Sequence, residues 1–213
     1  TPFNSLPYLV NKFDIRYEFS AGLLLQKKNN SVGSSISSAK LFAPISFPEG
    51  SNLNDLPGTE QEVEAIQALF KNKNITCDVL TNKLASETAV KNDDLKNYSL
   101  VHFATHGIVD ENNPELSRIF LQNDSQAEDG NLYSGEIYNL HLNANLVTLS
   151  ACQTGLGKIS KGEGVIGLSR ALVYAGAKNI IVSFWSVADE STAELMTGFY
   201  QTLLQNKHAS FTA

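Results

Sequence analysis

Cysteine is scarce in this chain. Cys77 and Cys152 are the two present, too few and too far apart for a disulfide framework. No bridge between them is expected, so an apolar core has to hold the fold. No apolar run reaches the length of a membrane-spanning helix, and no membrane association is expected. Basic residues are outnumbered, 16 Lys and Arg against 22 Asp and Glu, leaving a net charge of −6. That balance gives nucleic acid and anionic lipid no electrostatic footing, so direct nucleic-acid binding is not expected either. The sequence shows no recognisable leader pattern, and the expected compartment is the reducing cytoplasm.

The remainder is ordinary for a globular domain, with 42% hydrophobic and 18% charged residues. Short β-branched runs alternate with segments of helical periodicity. Strands are expected at 15–19, 41–43, 76–80, up to His106, at 119–122, up to Cys152 and at 179–185. Helices are expected at 20–25, 59–70, 86–95, 134–139, 164–175 and 191–205. Thr59 with Glu62 three residues on reads as a capping box. The pattern predicts a single α/β domain over 1–213, cut from a longer chain, with a mostly parallel central sheet and helices on both faces.

Two runs carry chemistry. Ser99-Leu100-Val101-His102-Phe103-Ala104-Thr105-His106-Gly107 and Asn145-Leu146-Val147-Thr148-Leu149-Ser150-Ala151-Cys152-Gln153-Thr154-Gly155 each read as a buried strand with a reactive side chain at its carboxyl end. Ligand sites of parallel sheets lie at those ends. An imidazole beside a thiol can accept its proton, giving a nucleophilic thiolate. His106 is thus the candidate general base and Cys152 the candidate nucleophile. The Gly107 and Cys152 amides are the candidate oxyanion donors, since glycine puts no Cβ in the way. Asp189 follows the next strand, where it either caps the last helix, as Ser191 also can, or floors a pocket for a basic side chain.

Other patterns fail on context. His102 and His106 have the spacing of a helical zinc pair but fall on a strand, with no Glu after His102, so no metal is expected. Gly162-Glu163-Gly164-Val165-Ile166-Gly167 spells a dinucleotide fingerprint about ten residues too far from its strand, and no cofactor is expected. The glycine-rich stretch 155–164 reads as a loop that orders on binding.

Taken in order, Leu6-Pro7, Leu56-Pro57-Gly58-Thr59-Glu60, His102-Phe103-Ala104-Thr105-His106-Gly107, Leu149-Ser150-Ala151-Cys152-Gln153-Thr154-Gly155, Gly162-Glu163-Gly164 and Trp185-Ser186-Val187-Ala188-Asp189 resemble the CHAT domain. That family of caspase-like cysteine peptidases is often fused to tetratricopeptide repeats. The resemblance implies a caspase-like fold, with further strands usual at both ends. It implies a cysteine endopeptidase acting on protein or peptide substrates through His106, Cys152 and a thioester. A tetratricopeptide-repeat or other regulatory domain is the implied partner in the full-length chain. In arginine-directed relatives an acid fills the primary pocket, and Asp189 is the matching position. Caspases carry Gln-Ala-Cys-Arg-Gly, which Ser150-Ala151-Cys152-Gln153-Thr154-Gly155 replaces, so aspartate specificity is not implied. The alternative function is a catalytically silent interaction module of a signalling protein.

Overall fold

The computed structural model describes residues 7–9, 12–13, 36–48, 51–110, 112–124, 126–152, 163–183 and 187–205, with the side chains of 152 and 163–167 left aside. Contacts divide the chain into two compact units, residues 1–33 with 212, and residues 34–211 with 213. In the first, the Leu9 carbonyl accepts from the Lys12 and Phe13 amides. The expected strand at 15–19, the helix at 20–25 and residues 155–162 of the expected loop lie outside the described residues, while its last two residues, Glu163 and Gly164, already belong to a helix.

The second unit is built on a sheet whose central strands are buried on both faces. β1 (Ser38–Ala43), β3 (Leu100–Ile108) and β6 (Leu146–Cys152) are the middle of it, flanked by β2 (Thr76–Thr81) and β7 (Ile180–Val182). The order β2-β1-β3-β6-β7 is parallel throughout. Beyond His106, β3 turns to a different kind of partner. Gly107 and Ile108 pair antiparallel with β4 (Arg118–Phe120), which pairs in turn with β5 (Asn131–Tyr133).

Among the described residues, two helices cover one face and three the other, which meets the expected α/β layering. α1 (Pro57–Asn72) and α5 (Asp189–Gln205) bury Val63, Ile66, Phe70, Met196 and Tyr200 against Leu41, Leu100, Ala104 and Leu146. α2 (Glu87–Asn92), α3 (Ser134–Ile137) and α4 (Glu163–Ala175) supply Val90, Ile137, Leu168 and Leu172 to the opposite core, around Val101, Phe103, Val147 and Leu149. Alternate residues of β3 and β6 therefore feed two separate cores, as the period of a strand requires.

Several local expectations are corrected. α1 starts at Pro57, two residues early, with Leu56 at its N-cap and no side-chain cap of its own, so Thr59 and Glu62 do not form the expected box. Proline suits that first position because its missing N–H would have gone unpaired. β3 runs two residues past His106 to pair with β4. The last helix begins at Asp189, which puts Ser191 inside its first turn, and Leu195 points to solvent at 70% exposure although its spacing suggests burial. Strand β5 is three residues long, too short to leave a two-residue period in the sequence.

Candidate functional site

The β3–β6 register decides the geometry of the site. Leu100 pairs with Leu146, and the ladder runs residue for residue to His106 opposite Cys152. Register partners in a parallel pair share a face of the sheet. His106 and Cys152 are thus neighbours at the last rung, at the carboxyl edge where β3 leaves its parallel partner.

His106 is buried, with 1% exposure. Its Nε2 lies 2.7 Å from the Asn54 carbonyl oxygen. A carbonyl accepts only, so that nitrogen carries the proton, and in the neutral ring the basic lone pair sits at Nδ1. The Phe47 ring packs against the imidazole, 5.0 Å between centroids and tilted by 45°. Phe47 and Asn54 both belong to the segment joining β1 to α1. That segment is pinned by Phe47 N–H to Asp55 Oδ1 at 3.0 Å and by Leu56 N–H to the Ile45 carbonyl at 2.8 Å. Sequence reading missed this support for a simple reason. Asn54 acts through its main chain, which every residue has.

Gly107 follows directly. It does not have a positive φ, and a Cβ there would meet Ala151 Cβ at 3.5 Å and the Arg118 carbonyl oxygen at 3.6 Å, ordinary contact distances. Neither turn geometry nor crowding accounts for glycine at this position. The cavity beneath it, lined by Leu149, Ala151, Leu168 and Val182 among others, holds about 10 Å³ and is apolar. A space of that size takes at most one water and no substrate side chain.

Below the His106/Cys152 rung, on the α1/α5 side of the sheet, lies a buried polar chain. His102 Nδ1 is 3.0 Å from the Tyr200 hydroxyl, which is 2.8 Å from Thr148 Oγ1. His102 Nε2 lies 3.0 Å from Glu62 Oε1, at ion-pair distance but off the alignment of a hydrogen bond. Ser150 Oγ donates to Glu62 Oε2 at 3.1 Å. Burial keeps the Tyr200 phenol well above its ordinary range and neutral, outweighing the lowering by its Thr148 hydrogen bond, with the Glu62 and Cys77 charges adding a little to the rise. His102 is therefore a buried core histidine, hydrogen-bonded at Nδ1 and held at Nε2 by the nearby Glu62 carboxylate without an aligned hydrogen bond. The Thr-x-x-Glu pattern speaks only of local partners, whereas those of Glu62 are His102 and Ser150, 40 and 88 residues away.

Asp189 is not at the His106/Cys152 rung. It opens α5, and its carboxylate lies on the first turn of α1, taking Gly58 N–H at Oδ2 (2.6 Å) and the Thr59 hydroxyl at Oδ1 (3.3 Å). The remaining cysteine, Cys77, is free. Its thiol is pushed up to about 12 by burial and by the Asp78 charge. Among the described residues, one group could hold a metal, Glu87, Glu128 and Glu136. The Lys91 ammonium already lies among these three carboxylates, 2.7 Å from Glu87 and 2.6 Å from Glu136 and also bonded to Glu128.

The family model for the CHAT domain matches residues 4–211. The chain belongs to the CHAT domain family. Among curated relatives, tetratricopeptide repeat protein 28 of Homo sapiens is 27% identical over 187 residues, covering 73% of this CHAT domain and 7% of that protein. The same protein of Mus musculus is 32% identical over 79 residues, covering 37% of this chain and 3% of its own length. This CHAT domain thus spans a small part of the relatives it matches. A flavodoxin from Streptococcus pneumonia TIGR4 aligns over 79% of this chain and 97% of its own at 15% identity, with a TM-score of 0.40, too low for the two folds to be equated. No helix among the described residues is long and apolar enough to cross a membrane.

Proposed function

We propose that this CHAT domain is a cysteine endopeptidase in which Cys152 attacks the peptide carbonyl and His106 moves the proton. The observation that carries this reading is the strand register that makes His106 and Cys152 neighbours at the edge of the sheet. The Asn54 carbonyl supports it, because a ring held by an acceptor at Nε2 keeps its basic nitrogen at Nδ1. The Cys152 thiol gives its proton to that nitrogen and the sulfur adds to the carbonyl carbon. The oxygen's negative charge is met by the Gly107 and Cys152 amides, worth about 2.7–4 kcal/mol for one such donor in other enzymes. His106 then protonates the departing amine, leaving a thioester. Water, deprotonated by His106, releases the acid and restores the thiol. A protein or peptide is the substrate. The naming of the relatives favours repeat domains as the partner in a longer chain.

The test is a peptide-library digest with the wild-type chain and Cys152→Ala, alongside labelling by a thiol-reactive peptide probe. Cleavage is expected from the first and none from the second, with the label on Cys152. Cleavage that survives Cys152→Ala refutes the assignment. A folded protein with neither preferential labelling nor cleavage is instead the silent interaction module.

A further inference from the structure

We propose that Asp189 is a positioning residue for His106, acting through the first turn of α1. The inference rests on the His106/Cys152 reading. α1 cannot cap itself, because Leu56 has no side-chain acceptor and Pro57 no N–H. The first amide that needs a partner is Gly58 N–H, and it finds the Asp189 carboxylate, 131 positions on, at 2.6 Å. An anion at a helix N-terminus is held by both the free amides and the helix dipole. Glycine at 58 is what permits the approach, since a Cβ there would lie 2.6 Å from Asp189 Oδ2 and 2.8 Å from its Cγ.

The clamp bears on the site through three residues of backbone. Leu56, next to Pro57, is tied to Ile45, and Asp55 to the Phe47 amide. Asn54, one residue further back, holds the His106 ring through its carbonyl. Phe47 packs on the same ring. If Asp189 lets go of Gly58, the segment that fixes the imidazole loses its anchor on the helix side. A guanidinium arriving at this carboxylate would have to share it with Gly58 and Thr59.

Three variants of the full chain test this. Asp189→Ala removes the anchor, and Gly58→Ala displaces it with Asp189 intact. Asp189→Asn keeps an oxygen for Gly58 N–H and is the conservative rescue. Histidine-selective ¹⁵N NMR reads the tautomer directly, since the chain has four histidines. A fixed Nε2–H tautomer of His106 is expected in the wild type and in Asp189→Asn, and averaged ring shifts in the other two. Peptides with Arg, Leu or Glu before the cut are expected to lose kcat alike, by about 10–100-fold, with KM unchanged. An unaltered tautomer in Asp189→Ala and Gly58→Ala overturns the proposal. So does a loss confined to the Arg peptide and expressed in KM, which would make Asp189 a specificity acid. The tautomer is readable in a protein that cleaves nothing, so failure of the peptidase reading and failure of this one are distinguishable.

Discussion

A histidine takes on a definite chemical role when its second nitrogen is spoken for, and at His106 a neutral carbonyl does this. His106 and Cys152 stand out in the sequence because each is a reactive side chain at the carboxyl end of an apolar run. Asn54 does not, because nothing in its side chain marks a carbonyl. With Cys77 held near 12, its thiolate fraction at neutral pH is vanishingly small, so a thiol probe reads Cys152 with little background. Gly107 offers a separate test of the oxyanion role. Its backbone and surroundings accept a Cβ, so Gly107→Ala is expected to hold or raise stability by about 0.5 kcal/mol, through a less flexible unfolded chain. Cleavage should nevertheless fall, since a methyl group then stands beside the amide that meets the oxygen. A urea melt with a cleavage assay decides. Full activity in a stable Gly107→Ala protein would remove this amide from the mechanism.

At the scale of elements, the sequence shows helices where periodicity is strong and misplaces their ends where distant partners decide. α1 starts where Pro57 stands and is capped from α5. Neither fact has a local signature beyond the proline. The short helix α2 makes the same point with charge. Lys91 joins it to α3 and to the segment carrying Glu128, against Glu87, Glu128 and Glu136. Burial raises the Glu87 carboxyl, more than the bonds from Lys91 and Gly130 lower it. Lys91 holds Glu128 below its usual range. The signs are opposite. Glu128's contribution is present above its unfolded pKa and lost as pH falls, whereas that of Glu87 is present in acid and fades as pH rises through its raised value. Lys91→Met removes the counter-charge from both, leaving three carboxylates that repel one another only when ionised. The loss is therefore expected to be largest at pH 8, where all three carboxylates are ionised, and small at pH 4. Urea melts at the two pH values measure it. Equal losses at both would show that Lys91 acts by packing alone.

For the molecule as a whole, the topology explains why the candidate site sits where it does. From β1 the chain moves outward to β2, then returns to the other side of β1 for β3, β6 and β7. The strand order reverses between β1 and β3, and the segments leaving those strands must part at their carboxyl ends. The segment after β1 carries Phe47 and Asn54, and both close on His106 of β3. This much follows from alternating strands and helices. The antiparallel β4–β5 extension does not, because three-residue strands carry too little pattern. The same order predicts where the fold is hardest to open. β1, β3 and β6 are buried between two helical layers, whereas β2 and β7 are half-exposed and, among the described residues, each bonded along one side. Separating β3 from β6 breaks the longest ladder among the described strands and uncovers both cores, so it should require nearly global unfolding. Amides at 101–103 and 147–149 are therefore expected to exchange with solvent slowest of all. Those of Thr76–Thr81 and Ile180–Val182 should exchange at least about tenfold faster by partial opening. Hydrogen-exchange mass spectrometry with peptides covering each strand measures this. If the central ladder opened as readily as the edges, the register that brings His106 beside Cys152 would be too loose to keep a proton donor and its acceptor aligned, and the catalytic reading would lose its structural basis.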